Sequence, residues 1–381
     1  MLSLLEPLET DFDFEAARDY GWLGGHISLL HRLSSPAEIQ AYDIAVLGVP
    51  EDRNAIDKEG CKYAPDEIRK SLYRLYPGKW NKKIIDLGNL KITSSMEETY
   101  ENLTEVLTTL LKQDTAVILL GGSHDLTYAV SKSLDRYNKP YNLCVIDSSI
   151  DSAVIDEQMD NHNFLTKMLS NDSSFLQNLS IFGIQTYYNH PSKFEIFDRL
   201  YVDYYKLGEI HQNIMETEPE IREADLLSID INALKNADMP AQSESKPNGL
   251  KGYDLCVMTR LAGIAPQNKI LGIFELNPFF DKNRLGSNLT AQMIWYYIEG
   301  KNAYREDYPA VSKKELTKFY VNNEIIKLNF YKNPKTQRWW VEIPDITGGG
   351  QLYACSEKDY QQAVALKISK RIYHIINKTS I

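Results

Sequence analysis

Eight short apolar runs constrain this chain more than any other feature. They are Ile44–Leu47, Ile84–Leu87, Ala116–Leu120, Leu143–Ile146, Leu179–Phe182, Leu200–Val202, Leu226–Ile229 and Ile270–Phe274. Runs this short, apolar at successive positions, suit strands covered on both faces of a parallel sheet. The segments between them carry helical periodicity. In "APDEIRKSLYRLY" Pro65 stands near the start, and Ile68, Leu72 and Leu75 share one face. Leu103, Val106, Leu107, Leu110 and Leu111 repeat the same spacing further on. Alternating strand and helix predicts right-handed crossovers, hence a three-layer α/β sandwich around a mostly parallel eight-stranded sheet in residues 1–300.

The pattern changes at residue 301. A polar connector, "KNAYREDYPAVSKKE", leads into alternation at Ile326, Leu328 and Phe330, a turn at Asn333–Pro334, and a return through Trp339, Val341 and Ile343. That predicts a β-hairpin. Gly348 to Gly350 then punctuates the chain. Ser356 with Asp359 reads as a capping box ahead of a last helix carrying Val364, Ile368, Ile372 and Ile375. Neither a hairpin nor one helix is stable alone in water, so residues 301–381 are expected to dock on the α/β domain.

Charge narrows the function. Acidic residues number 52 against 42 basic, a net charge of −10 without a basic block. This argues against nucleic acid and anionic membrane as partners. The four cysteines are far apart, and Cys144 and Cys256 lie in apolar surroundings, as in a reduced cytoplasmic protein. The start, "MLSLLEPLETDFDFE", has no basic region of the kind that opens a signal peptide. No apolar run approaches the length of a membrane span.

Four strand ends carry polar groups that packing does not require. "GGSHDLT" places His124 after a glycine turn. Asp147 and Asp151 follow Ile146 in "DSSID". Asp230 and Asn232 follow in "SIDINALKNADMP", and Glu275 lies in "GIFELNPFFD". A parallel sheet lines such ends along one edge, where ligands bind. Carboxylates with imidazole are donors for divalent cations. Each group also has an ordinary reading: His124 as a capping or core histidine, Asp147 and Asp230 as helix caps, Asp151 as a solvated loop acid. Glu275 on an apolar strand requires a partner or a function.

The order Gly-Gly-x-His, Asp-x-x-x-Asp, Ser-x-Asp-x-Asn and a strand-borne Glu before Asn-Pro resembles the ureohydrolase family of arginase, agmatinase and formimidoylglutamase. "GVPED", "APDEIR", "DLGNL", "FGIQ", "PNGL" and "LTAQMIWYYIEG" agree, and the resemblance covers roughly Asp43 to Gly300. It implies an arginase-like fold, a cytoplasmic homo-oligomer and two manganese ions that activate a bridging hydroxide. The reaction would be attack on a guanidino or formimino carbon of a small substrate. His124, Asp147, Asp151 and Asp230 match the protein ligands of one manganese ion. The second would share Asp147 and Asp230 and would also need a histidine at 149 and an aspartate at 232, where this chain has Ser149 and Asn232. One bound ion is therefore expected.

His162, in "DNHNF", matches the family's proton-shuttling histidine, although Asn163 replaces the glycine that usually follows it. Glu275 matches the carboxylate that orients the substrate. Two readings stand: a metal-dependent hydrolase of linear C–N bonds, or a catalytically weakened homologue with a binding, regulatory or assembly role. The loop after Asp151 holds Asp156, Glu157 and Asp160 without a base, which favours a cationic substrate tail unless a cation such as Arg260 or Arg284 arrives from elsewhere.

Overall fold

The computed structural model describes the chain except for residues 57–58, 138, 153–157, 171–173, 304–306, 308–309, 323–325, 345–349 and 380–381. The main sheet is built from β1 (Leu5–Glu6), β2 (Ser28–Leu29), β3 (Ile44–Gly48), β4 (Ile84–Leu90), β5 (Ala116–Leu120), β6 (Tyr141–Ile146), β7 (Leu176–Ile184), β8 (Asp203–Lys206), β9 (Leu226–Asp230) and β10 (Ile270–Phe274). Its order is β1-β4-β3-β5-β10-β9-β6-β7-β8, with β2 also beside β4. Only β1 runs antiparallel to its neighbour.

Alternation along the central strands separates two apolar layers. Val46, Ile118 and Leu120 face one layer, and Leu47, Val117 and Leu119 face the other. Both faces are covered, so β3, β5, β9 and β10 are buried throughout. After β5 the chain crosses to β6, and later strands β9 and β10 fill the space between. The C-terminal ends of β5, β10, β9 and β6 are thus neighbours, and these four ends carry the polar motifs.

Seven of the eight apolar runs lie in strands. Leu200–Val202 does not. The helix Pro191–Arg199 continues to Leu200, and Tyr201 turns the chain in the left-handed region (φ 52°). Val202 then donates its amide to Phe197 O, so β8 begins only at Asp203. Leu200 is exposed, and the run is a helix-ending turn rather than a strand.

The C-terminal region forms a second sheet of β11 (Thr317–Asn322), β12 (Lys327–Lys332), β13 (Trp339–Pro344) and β14 (Gly350–Cys355), antiparallel in that order. The expected hairpin is its central pair, and Trp339, Val341 and Ile343 share one apolar cluster with Phe330. Gly350 opens β14; Gly348 and Gly349 lie outside the described residues. The last helix is two, Glu357–Val364 and Lys370–Thr379. The first has the Ser356–Asp359 capping box. Leu366 at φ 63° breaks the periodicity, which leaves Val364 and Ile368 exposed while Ile372 is buried.

The two sheets meet through the short helix Glu218–Glu223, largely by charged groups. Arg222 donates to Trp339 O at 3.0 Å and lies 4.5 Å from the Trp340 ring centre. Arg338 pairs with Glu218 at 2.9 Å, and Arg371 with Glu220 at 2.5 Å. Among the described residues no helix is long and apolar enough to cross a membrane.

Candidate metal centre

The turn after β5 is fixed by glycine. A Cβ on Gly122 would stand 1.8 Å from Glu51 O, so this backbone approach excludes any side chain. Ser123 donates its amide to that same oxygen at 3.0 Å. His124 follows, fully buried, with its ring 4.8 Å from Phe164 and 5.4 Å from Phe274. Its Nε2 shares a hydrogen bond with Ser228 Oγ at 3.0 Å, and Thr127 Oγ1 lies 2.7 Å from that hydroxyl.

Nδ1 of His124 faces two carboxylates, Asp151 Oδ2 at 3.4 Å and Asp147 Oδ2 at 3.8 Å. It has no hydrogen-bond partner among the described residues. One donor atom from each of His124, Asp147 and Asp151 falls within 4.8 Å of the others. In the tautomer with its proton on Nε2, His124 presents an Nδ1 lone pair beside two carboxylate oxygens, a donor set that can hold a divalent cation.

Asp147 is the strained member. Burial, then Asp151 and Asp230, push its carboxyl well above the usual range, while His124 and Lys246 oppose the rise. The cations beside it do not offset the two neighbouring acids and the burial. Asp230 is itself buried at the end of β9, where its Oδ1 accepts the Asn232 amide at 2.7 Å. It stands outside the three-residue cluster but close enough to act on Asp147.

The second metal position does not fit an ion in the same way. Ser149 gives Asp147 Oδ1 both its amide, at 3.0 Å, and its hydroxyl, at 3.3 Å. Asn232 is 1% exposed, and neither side-chain atom has a hydrogen-bond partner among the described residues. A neutral amide brings no charge to offset a dication.

His162 lies at the rim, with Nδ1 4.0 Å from Asp151 and Nε2 3.9 Å from Glu244. Asn163 has φ −138°, which needs no glycine, and its Oδ1 accepts the Asp160 amide at 2.9 Å. Glu275 is buried in the left-handed region (φ 67°). Its Oε1 accepts from the His124 amide at 2.8 Å and from Asn161 Nδ2 at 3.2 Å. It therefore braces the His124 loop from β10.

Sequence reasoning missed Lys246, Glu244, Ser228 and Asn161. Lys246 is 6% exposed, donates to Ser148 Oγ at 2.7 Å and pairs with Glu244 at 3.2 Å. The only signal was a lysine in the polar stretch "SESKPNGL". The cations suggested instead are engaged elsewhere, Arg260 with Glu299 at 2.5 Å and Arg284 with Glu67 at 3.6 Å. Asp156 and Glu157 lie outside the described residues.

Comparison with known proteins places this geometry in context. The formimidoylglutamase of Lysinibacillus sphaericus is 25% identical over 254 residues, which cover 62% of this chain and 77% of that protein. The agmatinase of Blochmanniella floridana is 25% identical over 269 residues, covering 65% and 86%. Among solved structures, Trypanosoma cruzi formiminoglutamase with Mn2+ aligns with a TM-score of 0.66 at 20% identity, covering 72% of this chain and 98% of that one. Bacillus subtilis formimidoylglutamase aligns at 0.68 and 18%, covering 79% and 97%. These structural likenesses concern the fold. The sequence pattern described as Arginase family matches residues 42–299, most of the chain, and the protein belongs to the arginase family.

Proposed function

We propose that this protein hydrolyses a C–N bond of a small, linear formimino or guanidino compound, using one divalent cation of the manganese type, and that it does so slowly. The observation that carries this reading is the buried Nδ1 of His124, facing Asp151 and Asp147 at 3.4 and 3.8 Å without a hydrogen-bond partner among the described residues. His124, Asp147 and Asp151 would hold the ion, with Asp230 alongside. When bound, such an ion lowers the pKa of water and polarises a carbon–heteroatom group.

The chain's own groups supply the rest. Glu275, fixed on the His124 amide, keeps the metal loop in register with β10. His162, half-exposed at the rim and near Asp151 and Glu244, would hand a proton to a departing amine. With one cation in place of a pair, attack on the substrate carbon would be slower.

Asn232 favours a second reading, in which the fold binds a ligand or a partner copy without turnover. Its buried amide, without a hydrogen-bond partner among the described residues, stands where the resemblance requires an acid. Release of ammonia, urea or formamide from manganese-loaded protein, given formiminoglutamate, agmatine or arginine, separates the two. A rate below about 1 s⁻¹ that vanishes in His124→Ala supports the slow hydrolase. Equal background rates in both proteins support the second reading. Turnover in the ordinary enzyme range overturns the one-ion account.

A further inference from the structure

We propose that the ammonium of Lys246 is a built-in cation that takes over the charge role of the second metal ion. This rests on the one-ion reading above and explains why one ion suffices. Lys246 comes from the loop between Asp230 and the helix Gly252–Ile264, and its carbonyl accepts the Asn236 amide at 2.8 Å. Its side chain is buried, a costly placement for an ammonium unless acids surround it.

They do. Nζ donates to Ser148 Oγ at 2.7 Å, and that hydroxyl lies 3.5 Å from Asp147 Oδ1. Glu244 stands 3.2 Å away on the rim side, and the Tyr188 ring centre lies at 5.3 Å. Against burial, the charged form of Lys246 is favoured first by Asp147, then by Asp230 and Glu244. Asp147 and Asp230 are the two acids that the resemblance makes common to both ions.

The remaining features follow from a fixed positive charge there. Ser149 can lend its hydroxyl to Asp147, because no ion asks for a ligand at that position. Asn232 can be neutral, because an acid would bring more charge than one ammonium offsets. The three aspartates Asp147, Asp151 and Asp230 are balanced by one dication together with one ammonium. A second dication would meet the repulsion of Lys246 in a shielded site.

Metal content after Mn2+ loading and desalting tests the idea in three full-length proteins: the natural chain, Ser149→His/Asn232→Asp, and the same pair with Lys246→Met. We expect one ion per chain in the first two and two ions in the third. No ion in the natural chain overturns the one-ion reading itself. Two ions in the double variant, or one in the triple variant, overturns the role of Lys246 alone. A single change reads the same role without the added ligands. Lys246→Met in the natural chain should lower the metal-free melting temperature and tighten Mn2+ binding roughly tenfold, the scale of removing one unit charge beside the ion. Lys246→Arg should behave as the natural chain does. Equal Mn2+ affinity in all three proteins overturns the proposal.

Discussion

His124 Nδ1 stands 3.4 Å from Asp151 Oδ2, and no hydrogen bond joins them. The two residues follow β5 and β6, which are not neighbours; β10 and β9 lie between them. Contact across that interval requires both loops to fold over the sheet edge. The His124 amide on Glu275 and the Leu165 amide on Asp151 O, at 2.8 and 3.1 Å, hold them there.

Asp151→Asn keeps the size of the side chain and removes its charge. Mn2+ affinity should fall by more than about tenfold, as expected for loss of an anionic ligand. Calorimetric titration measures it. Unchanged affinity would place the ion elsewhere.

Binding should weaken in acid. Burial, Asp151 and Asp230 hold the Asp147 carboxyl well above its usual range, so it takes up a proton more readily than an ordinary aspartate. A cation must displace that proton, so affinity falls as pH decreases and protons are released on binding. Titrations at pH 6 and pH 8, in two buffers of different ionisation enthalpy, check both points. Affinity independent of pH would contradict this.

The join between the two sheets carries its own pH signature. Glu223 accepts the Ala354 amide at 2.5 Å, and burial raises its carboxyl to about 7. A raised carboxyl contributes stability that is fully present below its unfolded value, near 4.5, and is lost as pH rises through about 7. Glu223→Gln removes this dependence. Above pH 7 the variant should be more stable than the natural chain, by roughly 1–3 kcal/mol. Parallel melting curves from pH 5 to 8 would contradict the assignment.

Arg371 links the last helix to the main domain by pairing with Glu220 and Asp359 and donating to Glu216 O at 2.7 Å. Arg371→Met leaves buried Asp359 and largely shielded Glu220 without their cation. A loss of about 3–5 kcal/mol is expected, read by denaturant unfolding, with metal content unchanged. A loss of bound metal would tie this join to the site.

Much of this was legible before any coordinates. Short buried strands such as β5 and β10 announce themselves, because every residue is apolar and a polar motif follows directly. Leu200–Val202 misled because three apolar residues can also end a helix, and period alone cannot separate the cases. The tail was read as one hairpin and one helix because β11 and β14 alternate less cleanly, and no glycine marks the left-handed Leu366. At the site, polar groups at strand ends and the family resemblance pointed to His124, Asp147, Asp151 and Asp230, of which the first three come together in one cluster. Lys246 escaped notice because its importance lies in where a flexible side chain is buried, and no local pattern records that.

The central claim is one dication at His124, Asp147 and Asp151, with Lys246 serving in place of a second. Anomalous diffraction at the manganese edge, from crystals grown with Mn2+, tests it most directly. The account predicts one peak per chain, in contact with His124 Nδ1, and no peak between Asn232 and Ser149. Two peaks, or one that leaves His124 untouched, would contradict it.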